Sequence, residues 1–517
     1  MVKTYQDSLK SLTKGAAIIL LGIIASKFLG YIYRLLVARI GPEEYGILTL
    51  GLTISFFLIM ISTLGLESGI LRYLPVFKEN NEPGKAKRLI YSSLKIAGLT
   101  SILWGVILFM SADYIALSFF KDIRIGIILK ILAFSIPFAT LRNVIVNISK
   151  AYQSTTNEVV AKSIGENLPK IIITAILLFL GYYLLGAAVA YVGAMIISLT
   201  LSMYFVRKQL PDKKVKAEKG NEIIKEVVKY SWPLIFNSFL IVLISWFDTI
   251  MIGIFKSPYE VGIYNAAMPT AMLISIFPKA IQSIFLPVLS STYERENGKE
   301  NIEKIYRASF KWIFLISILS LAYLVAFAKT ILHVLFGAEY AGGSLTLIIL
   351  TIGFFAQGLF VFSSRDLLML LKKTKLVFIL TLTAVLVNII LNFILIPQYG
   401  IIGASIATSF SFVLMSLLMV SAGYKMMHIH PFKMQFLKIL GAISIATVLT
   451  KIMIILLPFS QKLLQLIISG IILSIIYGGL LILSKSFDED DIYIIKMIKS
   501  KTGLELTFLT KFLKRFR

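Results

Sequence analysis

Residues 41–51 read GPEEYGILTLG, and residues 257–267 read SPYEVGIYNAA. The phrases align at an offset of 216, matching Pro42 with Pro258, Glu44 with Glu260, Gly46 with Gly262, and Ile47 with Ile263. Three further pairs keep the same order. LPVF (74–77) returns as LPVL (286–289), KAKRLIYSSLK (85–95) loosely as ENIEKIYRASFK (300–311), and LLGAAVA (184–190) as IIGASIA (401–407). Offsets of 212 to 217 across four phrases identify an internal duplication. The proline of each opening phrase stops the preceding helix, because the residue before proline is pushed out of the α region. The acidic residues that follow suit the positive end of the next helix. Each phrase is therefore a turn between two helices, with Gly46 and Gly262 allowing close packing.

Composition defines what is duplicated. The chain has 517 residues, of which 57% are hydrophobic and 15% charged, and its mean hydropathy is +0.86. Soluble domains carry roughly 25% charged residues. The apolar residues fall in blocks of about twenty, the length that crosses a bilayer core. Fourteen blocks are readable, near 15–40, 45–70, 89–110, 123–149, 159–184, 186–206, 230–255, 259–290, 309–331, 343–368, 375–397, 400–424, 434–457 and 463–484. The first is too long for a signal-peptide core, so no cleavable signal is expected. The fold class is an all-α polytopic membrane protein.

Charge orients it. With alternating crossings from a cytoplasmic N-terminus, the inner segments carry 38 Lys and Arg and the outer ones five, as the positive-inside rule requires. Both termini are expected in the cytoplasm and the chain in the cell membrane. The net charge of +25 is then loop charge facing anionic lipid, and nucleic acid is not an expected partner. A repeat of six helices returns to its starting side, so the two copies are parallel. Parallel repeats pack around a central cavity that holds the substrate. The expected organisation is a six-helix bundle at 1–206, a cytoplasmic linker at 207–229, a second bundle at 230–424, two additional helices at 425–486 and an amphipathic tail at 487–517. That tail, ending FLTKFLKRFR, alternates apolar and basic groups and is expected on the inner membrane face.

Chemistry is excluded more readily than assigned. Cysteine is absent and only three histidines occur, without a metal pattern. No G-x-x-x-x-G-K-[ST] or G-x-G-x-x-G phrase offers a nucleotide seat. Paired carboxylates suited to membrane-enzyme catalysis are lacking, because Asp488-Glu489-Asp490-Asp491 fall in the tail. No enzyme activity, cofactor or metal is expected.

Ionisable residues within the apolar blocks are costly and mark function. Lys27 and Arg34 lie in the first block, Arg142 in the fourth and Lys279 in the eighth. The phrase KSIGENLPK places Lys162, Glu166 and Lys170 at i, i+4 and i+8, on one helical stripe. Asp248 and Arg365 sit nearer the block ends. Lys162 and Arg365 are close enough to the interface to snorkel, Asp248 can pair with a neighbour, and Glu166 can be neutralised by Lys162 or Lys170. Lys27, Arg34, Arg142, Lys170 and Lys279 are the expected substrate-binding cations. Lys162, Glu166, Asp248 and Arg365 are additional or coupling candidates. Pro169 and Pro278 adjoin two of the cations and mark bends at a cavity. Mostly cationic and nearer the cytoplasmic side, the set suits a diphosphate headgroup.

SKFLGYIYRLLVARIGPEEYGILTL (26–50), GLESGILRYLPVF (65–77), SWFDTIMIGIFKSPYEVGIYNAA (245–267) and VNIILNFILIPQYGIIGASIATSFSF (387–412) together resemble the polysaccharide-transport branch of the multidrug/oligosaccharidyl-lipid/polysaccharide exporter superfamily. The resemblance runs over essentially the whole chain. It implies a V-shaped pair of bundles working by alternating access. It also implies a polyprenyl-(di)phosphate-linked glycan as the substrate carried to the outer leaflet, with membrane lipids and glycan-assembly enzymes as partners. In that branch the lipid II flippases are expected to carry Arg where this chain has Lys27, which points away from lipid II itself. The alternative reading is an ion-coupled small-molecule exporter of the same superfamily, and H+ or Na+ coupling stays open.

Overall fold

The computed structural model describes residues 22, 25–154, 157–211, 214–218, 222–282, 298–429, 434–457 and 461–486. The expected amphipathic tail at 487–517 and most of the first apolar block before residue 25 lie outside the described residues. Among the described residues the regular structure is helical throughout, without strands.

The chain forms two compact units, Met1–Asn265 and Ala266–Arg517. In the first, α1 (25–38) leads through Gly41 into α2 (Pro42–Ser62) and α3 (Leu66–Glu79). The opening phrase behaves as expected. Gly41 takes a φ of 128°, Pro42 starts α2, and Glu43 and Glu44 fill its first turn, where fixed φ and negative charge both favour a helix start. Leu64 and Gly65 adopt left-handed φ of 47° and 69° and separate α2 from α3. Thr100 on α4 (Pro83–Ile115) donates to the freed Ser62 carbonyl at 2.7 Å, which supplies the partner that a broken membrane helix needs.

α4 runs on through a π-helical turn, Ala116–Phe120. α5 (Ile123–Ala133) and α6 (Ser135–Ala151) form one crossing bent by 41°. A second π-helical segment, Asn157–Ile164, leads into α7 (Gly165–Phe179), which carries Pro169 internally. α8 (Tyr183–Val206) buries Gly186, Ala187, Ala188, Ala190 and Ala194, small residues that let helix backbones approach. Ser198 of α8 donates to the Ala161 carbonyl at 2.7 Å, and Asn157 donates to Ser149 at 2.8 Å. α9 (Glu222–Phe255) packs on α2 and α3, and α10 (Pro258–Met272) begins at the repeated phrase.

In the second unit α11 (276–282) precedes α12 (Gly298–Ala326), α13 (Ala328–Leu335), α14 (Ser344–Ala356) and α15 (Phe362–Leu370). α16 (Thr374–Met427) has 54 residues, about 80 Å if straight and far beyond one bilayer. It is not straight. Gly400 sits at φ 55°, ψ −132°, and Asn388 donates to Thr408 at 3.2 Å, so the two parts run back along each other as a hairpin. α17 (Gln435–Leu456) and α18 (Lys462–Leu483) pack on α12. Phe314 and Phe436 meet edge to face at 4.9 Å, and Tyr477 donates to the Leu315 carbonyl at 3.1 Å.

Nine described helices are long and apolar enough to cross a membrane, or ten with the bent α5–α6 pair. That measure takes α16 as a single span. The class is thus an all-helical multi-pass membrane fold, with fourteen crossings as the expectation from the sequence. Large apolar side chains such as Phe179, Met110 and Leu483 stand exposed on the helices, as lipid-facing positions would.

Candidate functional site

The densest set of interior charges lies in the first unit, where α1, α3, α6, α7 and α8 supply one group or more each. Arg142 on α6 is 5% exposed and Lys170 on α7 is 7% exposed. Both converge on Glu166, at the start of α7. Arg142 Nη1 donates to Glu166 Oε2, and Lys170 Nζ lies 3.7 Å from Glu166 Oε1. Lys170 is further held 4.6 Å from the Tyr33 ring of α1 and 5.9 Å from the Tyr191 ring of α8, distances at which an aromatic face attracts a cation.

The neutraliser of Glu166 is therefore not a neighbour on its own helix first. Arg142 makes the direct hydrogen bond, Lys170 is the more distant partner, and Lys162 stands within electrostatic reach. The uniform stripe expected for Lys162, Glu166 and Lys170 is also interrupted. Lys162 belongs to the π-helical segment, whose wider turn shifts it off the strict i, i+4 line.

On α1, α6 and α7, the helices that carry these groups, the buried Tyr33 Oη, Arg142 Nε, Asn143 Oδ1, Thr140 Oγ1 and Thr174 Oγ1 have no partner. Buried polar groups are normally satisfied, and Arg142 Nε and Tyr33 Oη, beside Glu166 and Lys170, are donors that a polar ligand or water can complete. Glu67 on α3 lies within electrostatic reach of Lys162, Lys150 and Arg142, and Lys150 is itself paired with Glu158 at 2.6 Å.

The SKFLG phrase divides its work between two faces of α1. Asn167 of α7 donates to Ser26 Oγ at 3.2 Å, and a Cβ on Gly30 would stand 3.6 Å from Asn167 Oδ1. Ser26 and Gly30 thus dock α1 on α7. Lys27 is left exposed, within electrostatic reach of Arg34. Arg34 Nη1 donates to Tyr45 Oη at 3.3 Å, and its guanidinium lies 5.5 Å from the Trp246 ring. Tyr45 Oη in turn donates to the Asn265 carbonyl at 3.2 Å.

The remaining candidates lie elsewhere. Asp248 is fully buried on α9 and accepts from Tyr264 Oη at 2.6 Å. In the second unit Lys279 is exposed on α11, and Arg365 is half-buried on α15. Next to it Asp366 accepts from Gln282 at 2.5 Å. Sequence reasoning missed Tyr33, Tyr191, Glu67 and Asn167. A tyrosine in an apolar block carries no charge signal. Glu67 had one available, being a carboxylate two residues after Gly65 at a helix break.

The family model described as "Polysaccharide biosynthesis protein" matches residues 12–293, and the one described as "Lipid II flippase MurJ" matches residues 171–477. The chain is 32% identical over 174 residues to the "Probable low-salt glycan biosynthesis flippase Agl15" of Haloferax volcanii. That match spans 34% of this chain and 36% of the relative, about a third of each. It is 24% identical over 404 residues to the "Putative O-antigen transporter" of Shigella flexneri, across 77% of this chain and 93% of that protein. A solved structure, "Lipid II flippase MurJ, inward closed conformation", superposes with a TM-score of 0.72 at 19% identity, covering 90% of this chain and 98% of the other. That likeness establishes the fold. With both family models spanning more than half of the sequence, the chain belongs to the polysaccharide biosynthesis protein family, in the polysaccharide-flippase branch of the multidrug/oligosaccharidyl-lipid/polysaccharide exporter superfamily.

Proposed function

We infer that this protein is a flippase for a lipid-linked glycan, moving it from the inner to the outer leaflet by alternating access. The observation that carries the reading is the convergence of Arg142 and Lys170 on one carboxylate, among buried polar atoms left without partners. Lys162 and Arg34 add two more cations within electrostatic reach, against the carboxylates of Glu166 and Glu67. An excess of buried positive charge is costly without a counterion. A polyprenyl-diphosphate headgroup brings that counterion, and guanidinium and ammonium groups are its natural hydrogen-bond partners. A cation exporter would draw on buried carboxylate, and in this cluster Glu166 is already held by two cations.

On this reading Lys27, Arg34, Arg142 and Lys170 grip the diphosphate, and Lys279, in the second unit, is a separate candidate cation for substrate. Lys162, Glu166, Asp248 and Arg365 tune or couple the cycle. The protein sits in the cell membrane with both termini in the cytoplasm, and glycan-assembly enzymes supply and consume its cargo. The test is headgroup accessibility of a lipid-linked glycan in reconstituted vesicles. Replacing Lys27 and Lys170 together with Gln should abolish flipping while the protein still inserts. Flipping at the unmodified rate by that variant would overturn the reading.

A further inference from the structure

The cations of the site are not waiting empty-handed. Glu166 lies where a phosphate oxygen would lie, accepting from Arg142 through one oxygen and facing Lys170 at 3.7 Å with the other. A carboxylate and a phosphate both offer two or more acceptor oxygens to a guanidinium fork and an ammonium. While Glu166 holds Arg142 Nη1, that edge of the guanidinium is not open to a phosphate. Among the buried donors beside Glu166 and Lys170, Arg142 Nε and Tyr33 Oη lack partners. Lys170 has its remaining approach taken by the rings of Tyr33 and Tyr191.

We propose that Glu166 is a built-in surrogate for the substrate's phosphate, holding Arg142 and Lys170 while the site is empty and yielding them, by passing to Lys162, when a diphosphate headgroup binds. This rests on the reading of the site as a diphosphate seat. The physical need is clear. Empty, the cations would sit uncompensated in a low-dielectric interior, where an unpaired ion is costly. Loaded, Glu166 would be a buried anion facing another anion. Lys162 solves the second problem. It stands within electrostatic reach of Glu166, in a π-helical segment, a kind of turn often placed at functional sites. The other charged groups near Glu166 are Arg142 on α6 and Lys170 on α7, with Tyr191 of α8 also in reach. Glu67 on α3 shares Lys162 and Arg142 as neighbours.

Such an exchange gives the site a property that a bare cationic pocket lacks. Substrate must compete with an internal anion, so binding is weakened and release is assisted by the returning carboxylate. A carrier needs that balance, since cargo held too firmly is never delivered.

The experiment measures binding of inorganic pyrophosphate to the full chain in nanodiscs by calorimetry. Removing the competitor with Glu166→Gln should tighten binding about tenfold or more, the scale of one charge-assisted hydrogen bond. Glu166→Asp keeps the charge but shortens the reach, so it should fall between wild type and Glu166→Gln. It carries the test if the Gln variant fails to insert. Flipping by Glu166→Gln should slow even as binding tightens. A double-mutant cycle pairs Glu166→Gln with Lys162→Gln. Lys162→Gln should weaken binding more in the wild-type background than beside Glu166→Gln, because only in the former does the displaced carboxylate lose its destination. Unchanged or weaker binding by both Glu166 variants overturns the surrogate role, and additivity in the cycle overturns the transfer to Lys162. Arg142→Gln with Glu166→Gln removes the pair together and should lose pyrophosphate binding. If that double variant binds like wild type, the diphosphate seat itself is wrong, and this inference falls with it. If it loses binding while Glu166→Gln shows no gain, only this inference falls.

Discussion

Gly46 and Gly262 stand back to back, each pressed on the proline that opens the other's helix. A Cβ on Gly46 would lie 2.9 Å from the Gly262 nitrogen and closer still to the Pro258 carbonyl oxygen. One on Gly262 would lie 3.1 Å from Pro42 Cα and closer to the Pro42 carbonyl oxygen. The repeated phrase that reveals the duplication in the sequence thus packs against its own copy. Neither glycine is needed for a left-handed turn, since each lies within its helix. Both are needed for the approach.

Alanine at either position should therefore force the two turns apart. Overpacking of a tight contact costs about 1–3 kcal/mol, read as a lower unfolding temperature in detergent. Because both methyl groups push on the same contact, the double variant should lose less than the sum of the singles. Strict additivity would show that the glycines do not share one interface.

The α16 hairpin makes a similar demand of the backbone. Gly400 holds φ 55°, ψ −132°, a region costing a residue with Cβ about 1–3 kcal/mol. A Cβ on Gly403 would stand 3.1 Å from the Ile396 nitrogen and closer to the Leu395 carbonyl oxygen. Gly400→Ala and Gly403→Ala should each lower thermal stability. Gly441→Ala, in α17 with nothing within 4 Å of its Cβ position, should be neutral or gain up to about 1 kcal/mol from helix propensity. A Gly441→Ala loss equal to that of Gly400→Ala would remove the geometric explanation.

On the connection before α5, Asp122 caps the helix by accepting from the Arg124 nitrogen at 2.9 Å and from its guanidinium at 2.6 Å. Arg124 also reaches Glu43 in the first turn of α2. Partial burial pushes the Asp122 carboxyl up, but the hydrogen bonds and charge of Arg124 outweigh it and hold the carboxyl below the usual aspartate range. A depressed carboxyl contributes stability that is present above its unfolded value, about 3.9, and lost as pH falls through its folded value. Asp122→Asn keeps a cap but not the charge. Wild type should melt higher than Asp122→Asn at neutral pH, and the difference should shrink as the pH approaches 3. A difference that stays constant with pH would assign it to the cap alone.

Much of the fold was legible because a bilayer permits few solutions. Apolar blocks had to be helices, and the break between the blocks at 375–397 and 400–424 falls at the Gly400 reversal. The GPEE and KSPYE turns read correctly too, since proline and acidic residues act locally. What the sequence hid was pairing across helices. Arg142 and Glu166 are 24 positions apart, and nothing in either segment states that α6 and α7 bring them together. The π-helical segment changes the register of Lys162 without a proline or glycine inside Asn157–Ile164 to announce it. Tyr33 and Tyr191 were invisible as cation partners, because an aromatic in an apolar block reads first as lipid-facing surface.

Ser26 and Lys27 adjoin in the chain but face different tasks, and variants should separate them. Ser26 is joined to Asn167, which also donates to the Ser163 carbonyl at 2.8 Å and is 5% exposed. Asn167→Leu removes both bonds and adds bulk opposite Gly30, so α1 should lose its seat on α7. The expected result is a lower unfolding temperature, by about 1–3 degrees for one or two lost buried hydrogen bonds in a chain of this length. Flipping should fall in proportion to the folded fraction. Lys27 is exposed, so Lys27→Gln removes charge without removing packing. Its unfolding temperature should stay near wild type while pyrophosphate binding and flipping decline, and Lys27→Arg should retain more of both because the charge survives. The measurements are thermal unfolding and vesicle flipping on the same preparations. If Lys27→Gln destabilises as strongly as Asn167→Leu, Lys27 is a packing residue and leaves the substrate site. If it changes neither stability nor transport, the cationic seat does not extend to α1, and Arg142 and Lys170 must hold the headgroup with the groups of α6, α7 and α8 alone.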